Sequence, residues 1–509
     1  MQVIYISEDK FQYDIHSLFK AFYPTDTVRM IIGKPGDNPE KEKDISEGDE
    51  ISFVEYTENS IKVKVSENLS DEKEFLDISK GEGSVSTDGS KGSLDNSKNT
   101  LKKLLYTLLS EKTGKKLPWG NLTGIRPTRI AMNLVDKDRS DEEIADYMKS
   151  MYFVSDEKID LSIRIARREK EILKDIDYEN GYSLYIGIPF CPTTCLYCSF
   201  TSYPIGAYKN IVDDYLTCLE KEIDYVAEAF AGKTLDTIYI GGGTPTTLLP
   251  HQIDRLLGYV HEKLDTSKVK ELTVESGRPD SITREKLQAM KRQGCTRISV
   301  NPQTMRDETL KLIGRQHNVA QLIESFHMAR EEGFDNINMD IILGLPGETA
   351  DDVRYTMDEI KKLDPDDLTV HSLAIKRGSR LAEILKEKEI RGFSGKGDVA
   401  DFNNTEEMMR IAASGAHDMG LEPYYLYRQK NISGNFENTG YARKGKAGIY
   451  NILINEEVQS IVALGAGTVT KRVFGYDGRI ERCDNVKDVK LYMDQIEDMI
   501  NRKRELFNV

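Results

Sequence analysis

From residue 183 onward the sequence repeats one unit six times: a short apolar run, a loop, then an amphipathic stretch. The apolar runs are SLYIGI (183–188), TIYIGG (237–242), ELTVES (271–276), RISVN (297–301), NINMDIIL (336–343) and LTVHSL (368–373). Helical periodicity fills the intervals at about 206–231, 250–264, 283–293, 318–332 and 351–363. Apolar strands alternating with helices imply parallel strands with crossover connections, covered on both faces. Six such units make an open or partial barrel, short of the closed eightfold one. The pattern predicts an α/β fold with a partial (β/α)6 barrel over 179–376. Chemistry in such barrels gathers at the C-terminal ends of the strands.

The flanks read differently. Strands at 3–7, 27–33, 50–58 and 60–67, with a helix near 11–22, predict an N-terminal α+β domain over 1–100. The stretch GEGSVSTDGSKGSLDNS (81–97) lacks periodicity and reads as a mobile loop or linker. A helical connector over 101–178 follows. Its first helix spans 98–117, with Leu101, Leu104, Leu105, Leu108 and Leu109 on one face. Two more helices are expected at 140–152 and 156–176, the first N-capped by Ser140. Residues 377–509 are expected to form a C-terminal α+β cap over the barrel mouth.

The 509 residues carry 70 Lys+Arg against 85 Asp+Glu, a net charge of −15. That balance argues against non-specific binding to nucleic acid. No run of about 18 apolar residues suggests a membrane span. The first residues, MQVIYISEDKFQYD, lack a basic-then-apolar leader, so a cytoplasmic location is expected.

Three of the six cysteines, Cys191, Cys195 and Cys198, fall within eight residues, just after the first barrel strand. A reducing compartment makes such a cluster metal-binding rather than disulfide-bonded. Thiolates suit zinc or iron–sulfur. Three ligands without a nearby fourth leave one metal position open, which suits catalysis better than structure.

The spacing C-x3-C-x2-C, with the aromatic Tyr197 between the second and third cysteines, resembles the radical S-adenosylmethionine (SAM) superfamily. That resemblance implies a [4Fe–4S] cluster on the three thiolates, with SAM chelated to the fourth iron. It also implies SAM contacts from Tyr185, Tyr197, the glycine loop Gly242, Gly243 and Thr244, Glu275, Gln303, Arg315 and Asp340. Ile342 and Ala374 would line the adenine pocket. Gly242, Asp340 and Val469 resemble positions that contact a second SAM, so one or two SAM molecules are implied.

The wording YIGIPFC, GGGTPT and DIILGLPGET resembles the oxygen-independent coproporphyrinogen III oxidase (dehydrogenase) family. PWGNLTGIRPTRI and PYYLYRQKNISGNFENTGYA are similar to its HemZ branch. The resemblance implies oxidative decarboxylation of two coproporphyrinogen III propionates to vinyls, giving protoporphyrinogen IX. It implies a one-electron donor such as flavodoxin or ferredoxin, reductive cleavage of SAM, and hydrogen abstraction by a 5′-deoxyadenosyl radical.

Residues 424–448 carry Arg428, Lys430, Arg443, Lys444 and Lys446 against one acid, Glu437, interleaved with five aromatics. Cations for carboxylates and rings for stacking suit a tetrapyrrole substrate. Arg428, Lys430 and Tyr425 are its expected contacts. Two positions depart from the best-studied dehydrogenase branch: Phe200 replaces a further cysteine, and Gly187 replaces a histidine. Phe200 is typical of the related haem-chaperone branch, whose H-N-x-x-Y-W motif cannot exist here because Trp119 is the only tryptophan. A radical SAM enzyme acting on haem or another tetrapyrrole, and a haem chaperone-like protein, are the competing readings.

Overall fold

A computed structural model describes residues 1–24, 26–46, 48–57, 61–65, 76–77, 91–124, 126–200, 202–376, 378–391, 404–429, 436–475 and 478–508. The chain divides into two compact units, one built on Met1–Ile163, the other on Arg164–Ser433 and Glu437–Val509.

In the first unit, β1 (Gln2–Ile6), β2 (Val28–Ile32), β3 (Glu50–Tyr56), β4 (Ile61–Val65) and β5 (Leu76–Asp77) form one sheet, ordered β2-β1-β3-β4-β5. β1 runs parallel to β2 and β3, and β4 antiparallel to β3. The helix Gln12–Phe22 buries Ile15, Leu18, Phe19 and Phe22, an i, i+3, i+4, i+7 stripe. That stripe shares a core with Ile4, Ile6, Val54, Leu101, Leu105 and Leu109. Each buried side chain of this size contributes about 1.5–3 kcal/mol.

The helix carrying the leucines runs from Lys91 to Thr113, which corrects two expectations. Residues 91–97 are helical rather than linker: once the leucine stripe is docked, propagation costs little and overrides weak local propensity. Residues 81–90 lie outside the described residues. The helix stops before 117 because Gly114, at φ +67°, takes the left-handed conformation that ends helices. Ser140 caps the helix Asp141–Tyr152 as expected. Its hydroxyl accepts from the Glu143 amide, and Glu143 accepts from the Ser140 amide.

In the second unit, the strands are β6 (Gly181–Ile188), β7 (Phe190–Cys191), β8 (Tyr203–Pro204), β9 (Thr234–Gly242), β10 (Glu271–Val274), β11 (Arg297–Ser299), β12 (Ile337–Leu343) and β13 (Asp367–Ser372). β14 (Glu422–Tyr427), β15 (Asn438–Ala442), β16 (Ser460–Leu464), β17 (Val469–Val473) and β18 (Ile480–Asp484) complete them. β6, β9, β10, β11, β12 and β13 lie side by side, all parallel, in chain order. These are the six strands read from the sequence. Seven of the eight residues of β6 are buried, as a strand covered on both faces requires.

The sheet is an open one of eleven strands, ordered β14-β15-β13-β12-β11-β10-β9-β6-β16-β17-β18. The C-terminal residues supply both flanks. β15 and β14 extend the β13 edge antiparallel, and β16 adds a seventh parallel strand beside β6. Pairing satisfies edge amides and carbonyls that would otherwise be left bare.

Candidate active site

The loop leaving β6 carries the three cysteines. β7 pairs with β8, setting Phe190 against Tyr203 and Cys191 against Pro204. The Leu196 amide donates to Ile313 O at 2.9 Å, and Leu196 O accepts from the Leu381 amide at 2.9 Å. These bonds tie the loop's middle to the end of the helix Asp307–Leu312 and to the first turn of the helix Arg380–Arg391. Cys191, Cys195 and Cys198 thereby reach one cavity of about 270 Å³.

Burial pushes the Cys191 thiol up to about 11 and raises that of Cys198 as well. Two donors oppose this by pointing at sulfur. Thr244 Oγ1 donates to Cys191 Sγ at 3.4 Å, and Arg278 Nη1 to Cys195 Sγ at 3.6 Å. Arg278 is buried and held by Asp280 through Nε at 2.9 Å and Nη2 at 2.8 Å. Among the described residues, no three His, Cys, Asp or Glu side chains are gathered as around a single metal ion. The thiols share a cavity wall without closing on one point.

The end of β9 needs glycine. The Gly243 amide donates to Ile188 O at 2.8 Å and the Thr244 amide to Phe190 O at 2.7 Å. A Cβ on Gly243 would sit 2.7 Å from Phe190 O and 2.9 Å from Cys191 Sγ. Gly242 adopts φ +107°, open to glycine alone at little cost.

The next strand ends bring the expected polar groups to the same cavity. Glu275 follows β10 and accepts from Tyr239 OH at 2.6 Å; burial pushes its carboxyl up to about 7. Gln303 stands at φ +66°, its amide donating to Asp340 O and its carbonyl accepting from the Ile342 amide, both at 2.9 Å. Those two bonds hold an otherwise unfavourable backbone against β12. Arg315 Nη1 donates to Gly277 O and Asn301 O at 2.9 Å, and Nη2 to Tyr197 OH at 3.4 Å. Its Nε–H is buried without a partner. Asp340 accepts from Asn301 Nδ2 and Asn338 Nδ2, both at 2.7 Å. Burial would raise its pKa, but His371, Asn338 and Arg297 outweigh that and hold it below the usual carboxylate range. Ile342 and Ala374 add apolar wall.

Cys191, Cys195, Cys198, Tyr197, Gly242, Gly243, Thr244, Glu275, Gln303, Arg315, Asp340, Ile342 and Ala374 thus line one space. Others among the expected residues do not. Tyr185 packs beside the stacked pair Tyr239 and Tyr450, whose rings lie 4.4 Å apart, with its own ring centroid 6.1 Å from each. Val469 opens β17 and is 39 % exposed, off the cavity wall. Tyr425 is buried in the sheet, its OH donating to Thr369 Oγ1 at 3.4 Å. Arg428 is buried away from the cavity, and Lys430 lies outside the described residues.

The cationic–aromatic segment is largely structural, a correction to its reading as a ligand surface. Arg443 pairs with Asp364, Lys446 with Asp335 at 3.0 Å, and buried Tyr424 donates to Asp367 at 2.9 Å. Among the described residues of that stretch, only Tyr427, Gln429 and Asn438 reach the cavity. Sequence reasoning missed Arg278, Asn301, His371 and Lys376 on its walls. The placement of Arg278 three residues past Glu275, and of His371 inside the last barrel strand, was the available signal.

Residues 185–360 match the family model described as the radical SAM superfamily. The chain is 40 % identical over 410 residues to the oxygen-independent coproporphyrinogen-III oxidase-like protein HemZ of Bacillus subtilis, covering 80 % of each. The chain belongs to the radical SAM superfamily, in this coproporphyrinogen III oxidase-like family. It is also 32 % identical over 315 residues to the heme chaperone HemW of Bacillus subtilis, covering 62 % of this chain and 76 % of that one. The structure of coproporphyrinogen III oxidase (HemN) from Escherichia coli, a radical SAM enzyme, matches with a TM-score of 0.50 and 23 % identity. It covers 63 % of this chain and 70 % of that one, and shares the fold.

Membership of the superfamily implies a [4Fe–4S] cluster and SAM. The cavity suits them. It offers three thiols spread over one wall, donors aimed at two sulfurs, and a glycine cradle that a Cβ would fill. The buried Nε–H of Arg315 is a donor left for an anionic group.

Proposed function

We propose that the chain is a radical SAM dehydrogenase that decarboxylates two propionates of coproporphyrinogen III to vinyls, giving protoporphyrinogen IX. The observation that carries this reading is the convergence of the three thiols with Gly242–Thr244, Glu275, Gln303, Arg315 and Asp340 on one cavity. In this reading Cys191, Cys195 and Cys198 hold the cluster. Arg315 would hold the SAM carboxylate, Glu275 would accept from its polar end, and Ile342 and Ala374 would flank the adenine. When bound and reduced by a flavodoxin- or ferredoxin-like donor, the cluster and SAM supply a hydrogen-abstracting 5′-deoxyadenosyl radical and methionine.

The chain's own residues orient and exclude water. Gly243 lets the β9 loop lie against Cys191, so cofactor and cluster loop share a rigid wall. Arg278 and Thr244 donate to sulfur, which stabilises thiolate over thiol. Asn301 and Asn338 fix both Asp340 oxygens, so this carboxylate presents one orientation to the cavity. Ile342, Leu373 and Ala374 give the cavity an apolar side, which would limit water around a reactive species.

The test is an anaerobic incubation with coproporphyrinogen III, SAM and a strong reductant, followed by mass spectrometry. The expected product has lost two CO2 and four hydrogens. Cys195→Ala should abolish 5′-deoxyadenosine formation; if SAM cleavage continues, the ligand assignment is wrong. The similarity to HemW and the presence of Phe200 support a second reading, a haem carrier. A carrier would bind haem stoichiometrically and release no vinyl product.

A further inference from the structure

Phe200 stands at the position that most sets this chain apart from the dehydrogenase branch, and the reaction above gives it no role. It is 67 % exposed, among the most exposed of the large apolar side chains, yet it lies on the cavity wall rather than on an open face. The Nζ of Lys376 sits 5.2 Å from its ring centroid. Lys376 lines the same cavity, two residues past Ala374.

The other cations of this wall are engaged. Arg278 is bound by Asp280, and Arg315 by two carbonyls and Tyr197. The two wall carboxylates are also engaged, Glu275 by Tyr239 and Asp340 by two asparagines. Among the described residues, the Lys376 ammonium has neither hydrogen bond nor carboxylate partner; its neighbours are the Phe200 ring and the Cys198 thiol. A half-buried ammonium without a counter-charge costs free energy unless a ligand supplies one. An exposed ring beside it loses water contact favourably when a flat ligand covers it.

We infer that Lys376 and Phe200 form a substrate subsite, in which Lys376 pairs with a carboxylate of a tetrapyrrole, one of whose flat pyrrole rings packs on Phe200. This rests on the tetrapyrrole reading above and adds what recognises the substrate. In a chain of net charge −15, a carboxylate-bearing ligand needs such a local cation. Tyr427 and His371, linked at 3.4 Å, line the same cavity and offer it a second polar wall. The subsite also relocates substrate recognition from the 424–448 segment to the rim beside Cys198.

The test is a fluorescence titration of the iron-loaded protein with coproporphyrin III, and separately with its tetramethyl ester. Lys376→Met should weaken binding of the acid at least tenfold, and Lys376→Arg should restore most of it. The ester should bind wild type and Lys376→Met alike. Phe200→Leu should weaken both ligands, by about threefold. Iron content and unfolding midpoint of each variant establish that the fold is intact. Equal binding of the acid by wild type and Lys376→Met overturns the subsite while leaving the reaction in place. Weaker SAM binding with unchanged porphyrin binding also overturns it, assigning Lys376 to the SAM carboxylate. If wild type takes haem but not coproporphyrin III, the reaction reading fails and the subsite is judged on haem, whose propionates should show the same Lys376 dependence. If no tetrapyrrole binds, both fall.

Discussion

Both ends of the parallel sheet bury polar groups, yet use them in opposite ways. At the N-terminal ends, opposite charges meet inside the protein. Arg297 opens β11 and donates to Asp367, which opens β13, at 2.7 Å, with the side chains 2 % and 0 % exposed. Tyr424 donates to the same carboxylate at 2.9 Å. Gln459 links Asp236 at 2.7 Å to Ser183 at 2.8 Å, fastening β16 to β6 and β9. At the C-terminal ends, among the described residues, the Arg315 Nε–H has no partner, the Lys376 ammonium has no carboxylate, and three thiols share one cavity. Burial of polar groups therefore does not mark the site; unfinished pairing around a cavity does.

The sharpest way to break this contrast is to unpair the closed end. Arg297→Met leaves Asp367 buried without its cation, and loss of one partner of such a pair costs about 3–5 kcal/mol. Because Arg297 Nε and Asp367 Oδ1 already lack partners, nothing nearby is free to compensate. Urea unfolding of the metal-free chain should show that loss, while iron bound per folded molecule stays at the wild-type value. A loss below about 1 kcal/mol would mean the closed end is not what holds the sheet.

The two ends also differ in how far the sequence reveals them. The six barrel strands were legible because buried parallel strands read as apolar runs, and the helices between them hold their 3.6-residue period. The seventh parallel strand, β16, escaped because it follows β13 by some ninety residues and pairs at the opposite edge beside β6. The cysteines were legible through their spacing, and Glu275, Arg315 and Asp340 through the family resemblance that spacing opened; Glu275 follows β10, Asp340 lies within β12 and Arg315 follows the helix Asp307–Leu312. Arg278 was not. Its contact with Cys195 spans 83 residues, and only the fold brings them together. Tyr425 and Arg443 misled for the converse reason: a local run of cations and rings says nothing about which face the sheet will bury.

A pH experiment sharpens the comparison from the other end. Burial raises Glu275 from 4.5 to about 7, so the folded chain binds this proton more tightly than the unfolded one. Stability should then fall as pH rises from about 4.5 through 7, by about 3 kcal/mol. Glu275→Gln should flatten that part of the profile in thermal unfolding of the metal-free protein. Asp367, at the closed end, is also pushed up by burial, to about 6, against the pull of Arg297 and Tyr424. Asp367 supplies its own slope up to about pH 6, so the part between about 6 and 7 is the one Glu275→Gln should remove; if that part survives, the open end carries no uncompensated carboxyl.

The smallest effect isolates a single donor at the open end. Thr244 Oγ1 reaches Cys191 Sγ at 3.4 Å in a buried setting. Valine matches its shape and removes only the hydroxyl, so the metal-free chain should lose no more than about 1 kcal/mol. The consequence for sulfur is more specific. Burial already lifts Cys191 to about 11, and the Thr244 hydroxyl is what pulls against it. Without that hydroxyl the thiolate fraction falls, and alkylation slows with it because thiolate is the reacting form. Iodoacetamide labelling at pH 9, read at the Cys191 peptide by mass spectrometry, should be several-fold slower in Thr244→Val than in wild type. Thr244→Ser, which keeps the donor, should label at close to the wild-type rate. Equal rates for Val and Ser would mean that the hydroxyl does not act on this sulfur, leaving the β9 loop to shape the thiol's surroundings through its glycines alone.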